Sequence, residues 1–166
     1  MRKMEKLFLV AVMITLISGA ALAQGNADAC HVYLVDVKAA QKAYTSLSPN
    51  ATQEAQARAL SSVMKILGEF QAVVGEEQLT TKSYSFPDSK LVMTASVFYT
   101  DESMPAESMT LGLAVSDKAE KDAISATNNA VAEVNYDANM KIVRVRKYVI
   151  VNGLSYLVGL QCNHKK

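Results

Sequence analysis

The stretch MKIVRVRKYVIVNGLSYLVGLQCN, residues 140–163, decides how the rest of the chain is read. Two runs rich in β-branched and aromatic residues flank Asn152-Gly153, the pair best suited to a two-residue turn with positive φ at both central positions. Such a turn sets the register of the hairpin. Val151 faces Leu154, Val149 faces Tyr156, Val145 faces Leu160 and Val143 faces Cys162, all on one side, which places Cys162 in line with the core. The other side carries Ile142, Arg144, Arg146, Tyr148, Ile150, Leu157 and Gln161.

Cys162 has one candidate partner, Cys30, near the other end of the chain. Two thiols in an oxidising compartment are expected to close one disulfide. No Cys-x-x-Cys is present, so thiol–disulfide catalysis has no motif. His31 to Val37 reads as a central strand with two apolar faces; Cys30 begins it and Cys162 ends the last strand, so if the two strands are neighbours a disulfide between them requires them to run antiparallel. His31 and His164 flank the cysteines, but His31 points to the face opposite Cys30, and no carboxylate cluster joins the histidines. No metal site is expected.

Between these ends, Lys38 to Leu47 is compatible with a short helix. Ser48-Pro49 opens a longer one, with an apolar stripe at Leu60, Val63, Met64, Leu67, Phe70, Gln71 and Val74, stopped by Gly75. Leu79 to Phe86 and Lys90 to Thr100 form a hairpin around Pro87-Asp88-Ser89, followed by a strand from Ser108 to Ser116. Asp117 and Glu120 make a capping box for a second helix running to Val134. The expected fold is α+β: a mostly antiparallel sheet of about six strands with two helices on one face.

Element order repeats as βαββ over residues 30–100 and 108–163, without residue-level similarity between the halves. This order resembles, in topology and without a shared motif, that of the SOUL haem-binding and gyrase-inhibitory-type ligand-binding domains. The resemblance implies a small-molecule groove between two halves.

The chain opens with Met1-Arg2-Lys3, an apolar run from Leu7 to about Leu22 and Ala21-Leu22-Ala23, the pattern of a cleavable secretory signal peptide over residues 1–23. The run is shorter than the ~20 residues of a comfortable bilayer span. The expected product is a single domain, 24–166, exported to the periplasm or the medium by a bacterial-type leader and free of the membrane. Loss of the leader removes three basic residues and one acid, leaving 14 Lys plus Arg against 15 Asp plus Glu. That balance gives no electrostatic footprint for nucleic acid.

For catalysis the residues supply little. There is no Gly-x-Ser-x-Gly elbow and no phosphate-cradling glycine loop, so no catalytic residue and no cofactor is assigned. The leading expectation is a non-catalytic binding module that contacts a protein partner or a second copy of itself. Arg144, Arg146, Tyr148 and Ile150 form the candidate contact surface, because Arg among aromatic and aliphatic residues is typical of interface cores. The alternative is a carrier of a small apolar ligand in a helix–sheet groove lined by Met64, Leu67, Phe70 and Met109. A hydrolase built on converging carboxylates is a third reading.

Protein secreted from a bacterial host should begin at Gln24 and weigh two hydrogens less than the reduced chain. Intact mass spectrometry without reductant checks both; a mass that retains the leader would overturn the cleavage.

Overall fold

A computed structural model describes residues 27–75, 77–101, 108–124, 131–136 and 140–165, so the expected leader lies outside the described residues. The chain runs β1 (Ala27–Asp36), α1 (Val37–Thr45), α2 (Gln53–Ser61), β2 (Met64–Val73), β3 (Gln78–Ser85), β4 (Val92–Tyr99), β5 (Met109–Ser116), β6 (Val131–Tyr136), β7 (Met140–Val151) and β8 (Leu154–Lys165). Two antiparallel sheets result. One has the order β2-β1-β8-β7-β6, the other β3-β4-β5.

The α+β class, the antiparallel strands and a helical layer on one face are as the sequence reads. The described strands number eight and form two sheets instead of one. Alternation explains the packing. Val32 and Leu34 of β1, Phe70 and Ala72 of β2, Val143 and Val145 of β7, and Val158 and Leu160 of β8 point inward. There they meet Met93, Ala95 and Val97 of β4 and Leu111 and Leu113 of β5 from the facing sheet. Phe86 and Tyr156 close one end edge to face, with centroids 5.2 Å apart.

The β7–β8 hairpin has the register read from the sequence: Val151 opposite Leu154, Val145 opposite Leu160 and Val143 opposite Cys162. Asn152 and Gly153 take φ of 51° and 76°, which Asn tolerates and Gly adopts freely. β1 pairs antiparallel with β8 and places Cys30 opposite Cys162, and the two are joined by a disulfide. β1 thus lies between β2 and β8, covered on both faces.

Two expected helices need correction. The long helix after Ser48-Pro49 ends early. Thr52 caps it, its Oγ1 accepting from the Ala55 N–H, and helical structure stops at Ser61. From Met64 the chain is strand β2. Its partner register on β1 skips Leu67, with Val32 opposite Gly68 and Tyr33 opposite Ile66. This bulge shifts the alternation by one, so Met64 and Phe70 point to opposite faces and the apolar spacing mimics a helical stripe.

The second expected helix, Asp117 to Val134, is also absent where it is described. Residues 117–124 are irregular, and Val131–Tyr136 is a strand. The irregular segment lies over the outer face of the three-stranded sheet. Its Glu120 and Ala123 N–H groups donate to Thr94 Oγ1 (3.0 Å) and Ser96 Oγ (2.9 Å). Those hydroxyls also meet Ser83 and Thr81 of β3. Gly112 makes this approach achievable, because a Cβ there would overlap the backbone at Ala123 and Ile124. With no helix among the described residues of that stretch, the βαββ order behind the SOUL-type resemblance is not the order found. The pairing also interleaves the halves: β5 joins β4, and β1 joins β8.

The disulfide closes a separation of 132 residues. Replacing both cysteines with alanine should lower unfolding free energy by about 2–4 kcal/mol. Urea denaturation against the oxidised parent measures this, and an unchanged midpoint would contradict it.

Candidate functional site

The outer face of the five-stranded sheet carries the residues singled out from the sequence. Along β7 they alternate outward as Ile142, Arg144, Arg146, Tyr148 and Ile150, but their environments differ sharply. Arg144 and Arg146 are buried, at 1% and 6% exposure, whereas Tyr148 and Ile150 are 55% and 76% exposed. The four candidate contact residues therefore share a face but divide into a buried polar pair and an exposed apolar pair.

Cross-strand register explains the buried half. Glu69, His31, Gln161 and Arg144 form one lateral row across β2, β1, β8 and β7, and Glu133 of β6 occupies the next register position. Arg144 Nε donates to Gln161 Oε1 at 2.6 Å, and Gln161 Nε2 donates to Asn163 Oδ1 at 3.0 Å. A charge-assisted bond of this kind offsets part of the cost of burying a guanidinium. In the adjacent row the Tyr33 ring lies over Gly159, filling the space a side chain there would take.

His31 is buried in this row, and its Nε2 has no hydrogen-bond partner. Burial lowers its pKa from the ordinary imidazole value; Glu69 opposes the shift and Arg144 adds to it. The imidazole is therefore held neutral in the fold.

The helices cover the next row. Ala40 of α1 and Leu60 of α2 pack with Tyr33, Val35 and Leu157, and Met64 lies against them. Tyr148 sits opposite Leu157, one strand beyond this layer, and Ile150 follows it toward the turn.

The residues of the expected apolar groove do not line one space. Phe70 and Met109 are buried between the two sheets, with Leu67 packed against that core. Met64 belongs to the helix side of the five-stranded sheet.

A second polar cluster escaped the sequence reading. At one end of the sandwich Tyr99 Oη donates to Asp28 Oδ2 at 2.7 Å, and His164 Nδ1 lies 2.9 and 3.0 Å from the two oxygens of the same buried carboxylate. Desolvation first, then the hydrogen bond and charge of Asp28, push the Tyr99 phenol upward, so it stays protonated and donating. The cluster joins β1, β4 and β8 beside the disulfide. Its only sequence signal was an acid two residues before a core cysteine. His164 and His31 lie on opposite faces of the sheet, and among the described residues no three His, Cys, Asp or Glu side chains gather to hold a metal ion.

No helix among the described residues is long and apolar enough to cross a membrane. Comparison of the chain with protein-family models, with curated proteins and with solved structures finds no match.

His31 makes stability depend on pH. Its folded pKa lies below the 6.5 of the unfolded chain, so the unfolded state takes up the proton first. Its contribution is present in full above pH 6.5 and is lost as the pH falls from there through the lowered folded value. Urea midpoints should decline from neutral pH toward pH ~5 in the parent. In His31→Gln the decline should be shallower; equal slopes would remove His31 as the cause.

Proposed function

We propose that this protein is an exported, non-catalytic binding domain that docks a protein partner through the outer face at the turn end of β7. The carrying observation is the exposure of Tyr148 and Ile150 side by side on a strand whose outward Ile142, Arg144 and Arg146 are buried. Large aromatic and aliphatic side chains on a rigid element are favourable anchors, because little conformational freedom is lost when they are covered. The hairpin supplies that rigidity: a two-residue turn, a full ladder to β8, and an Asn152 Nδ2 bond to the Asp88 carbonyl at 3.3 Å that ties its tip to the β3–β4 turn.

The buried arginines have a supporting part in this reading. Arg144, bonded to Gln161, fixes β7 against β8 and so sets the direction in which Tyr148 and Ile150 present themselves. Export is supported by the disulfide, which persists outside reducing compartments.

The combined change Tyr148→Ala and Ile150→Ala should weaken association by more than about tenfold while leaving the melting temperature within a few degrees of the parent. Association is followed by pull-down from the producing cell's exported fraction, quantified by titration once the bound protein is identified. Full retention of the partner by the double variant would overturn the proposal.

A further inference from the structure

The tip of the final hairpin brings together the groups of a covalent reaction. Asparagine is among the chemically labile side chains, and Asn152 alone among the asparagines of this chain is followed by glycine. Both residues are exposed, so water and hydroxide reach them. The main-chain ladder closes at the Val151–Leu154 pair, and the Gly153 N–H makes no main-chain hydrogen bond among the described residues. Nothing lies within 4 Å of where a Cβ on Gly153 would stand. The nitrogen that follows Asn152 is therefore neither shielded by a side chain nor engaged in the ladder.

The Asn152 side chain is itself part of the structure. Its Nδ2 donates to the Asp88 carbonyl at 3.3 Å, the contact that ties the tip to the β3–β4 turn. The bond is exposed and longer than an ordinary N–H···O contact, so it opens at small cost. Once it is open, glycine resists the backbone rotation needed for reaction less than any other residue.

We propose that Asn152 is a site of spontaneous deamidation, and that the reaction releases the hairpin tip from the β3–β4 turn. When the tip opens, the Gly153 nitrogen gives its proton to hydroxide and attacks Asn152 Cγ. The N–Cγ bond forms, the Cγ–Nδ2 bond breaks, and Nδ2 takes a proton from water and leaves as ammonia. Water then opens the five-membered imide. Addition at Cγ restores the ordinary main chain with an aspartate side chain. Addition at the Asn152 main-chain carbonyl gives isoaspartate, whose main chain runs through Cβ and Cγ. The net change is uptake of one water and loss of one ammonia, with no oxidant or reductant.

Both products lack the donor to the Asp88 carbonyl and place a carboxylate beside exposed Asp88. Isoaspartate also lengthens the main chain of a two-residue turn, and the length of that turn sets the register of β7 against β8. The tip loses its tether and its geometry together. The far end of β8, joined to β1 by the disulfide, is untouched.

The test incubates the oxidised protein at mildly alkaline pH in water enriched in heavy oxygen. Peptide mapping with electron-transfer fragmentation then distinguishes aspartate from isoaspartate. Label should enter residue 152 before any other asparagine and appear in both products. In the isoaspartate form, separated by ion exchange, the Leu154 amide should exchange with solvent about tenfold faster than in the parent. Asn152→Asp, which loses the donor but keeps the ordinary main chain, should show a smaller increase. Absence of label at residue 152, under conditions that convert a linear peptide of residues 149–156, would mean that the turn shields the site and would overturn the proposal. Entry of label at other asparagines at the same rate would overturn it too. Unchanged Leu154 exchange in the isoaspartate form would overturn release of the tip.

Discussion

Cys30 and Cys162 face each other across the β1–β8 ladder, and much of the architecture depends on that pairing. It puts the first described strand in the middle of a sheet whose other side is built from the last three strands. The ladder between them is continuous from Ala29–Asn163 to Asp36–Tyr156, so the disulfide reinforces a contact that main-chain hydrogen bonds already make. Asp28, bonded by Tyr99 and His164, ties the same end of the sheet to the second layer. With β1 held there, its inward residues complete the sandwich core, and its outward residues provide the floor on which the helices pack.

What the sequence revealed follows from how local each determinant is. The final hairpin was legible to the residue, because a two-residue turn leaves one register and alternation does the rest. The β3–β4 hairpin and β5 were readable from their alternation and from the turn-forming residues that bound them. Failures came where a tertiary partner overrode local preference. The stretch from Leu60 to Val74 imitates a helix because a bulge at Leu67 changes the phase of a strand; Gly68 within it was the available warning. Asp117 and Glu120 have the spacing of a helix start, yet hydroxyls on Thr94 and Ser96 take the Glu120 and Ala123 N–H groups and hold the segment against the sheet instead. Nothing local announces those partners, which lie more than twenty residues away.

The candidate surface was half legible. Alternation along β7 correctly grouped Arg144, Arg146, Tyr148 and Ile150 on one face, since that needs only the strand period. It could not distinguish buried from exposed members, because this depends on how far the helical layer extends and on the row formed with Gln161 and His31. The Asp28–Tyr99–His164 cluster was invisible for a related reason: its members are separated by 71 and 136 residues, and each is unremarkable alone.

The interleaving of the two ends has a consequence for how the protein is made. β1 cannot acquire its β8 neighbour until the ribosome has reached the final residues, so the central ladder of the larger sheet cannot form on a partial chain. Long-range pairing of this kind slows folding. Under the proposed export, such slowness would be an advantage: a chain that folds late can cross a translocation channel unstructured, and the late arrival of the second cysteine would reserve completion for the oxidising side.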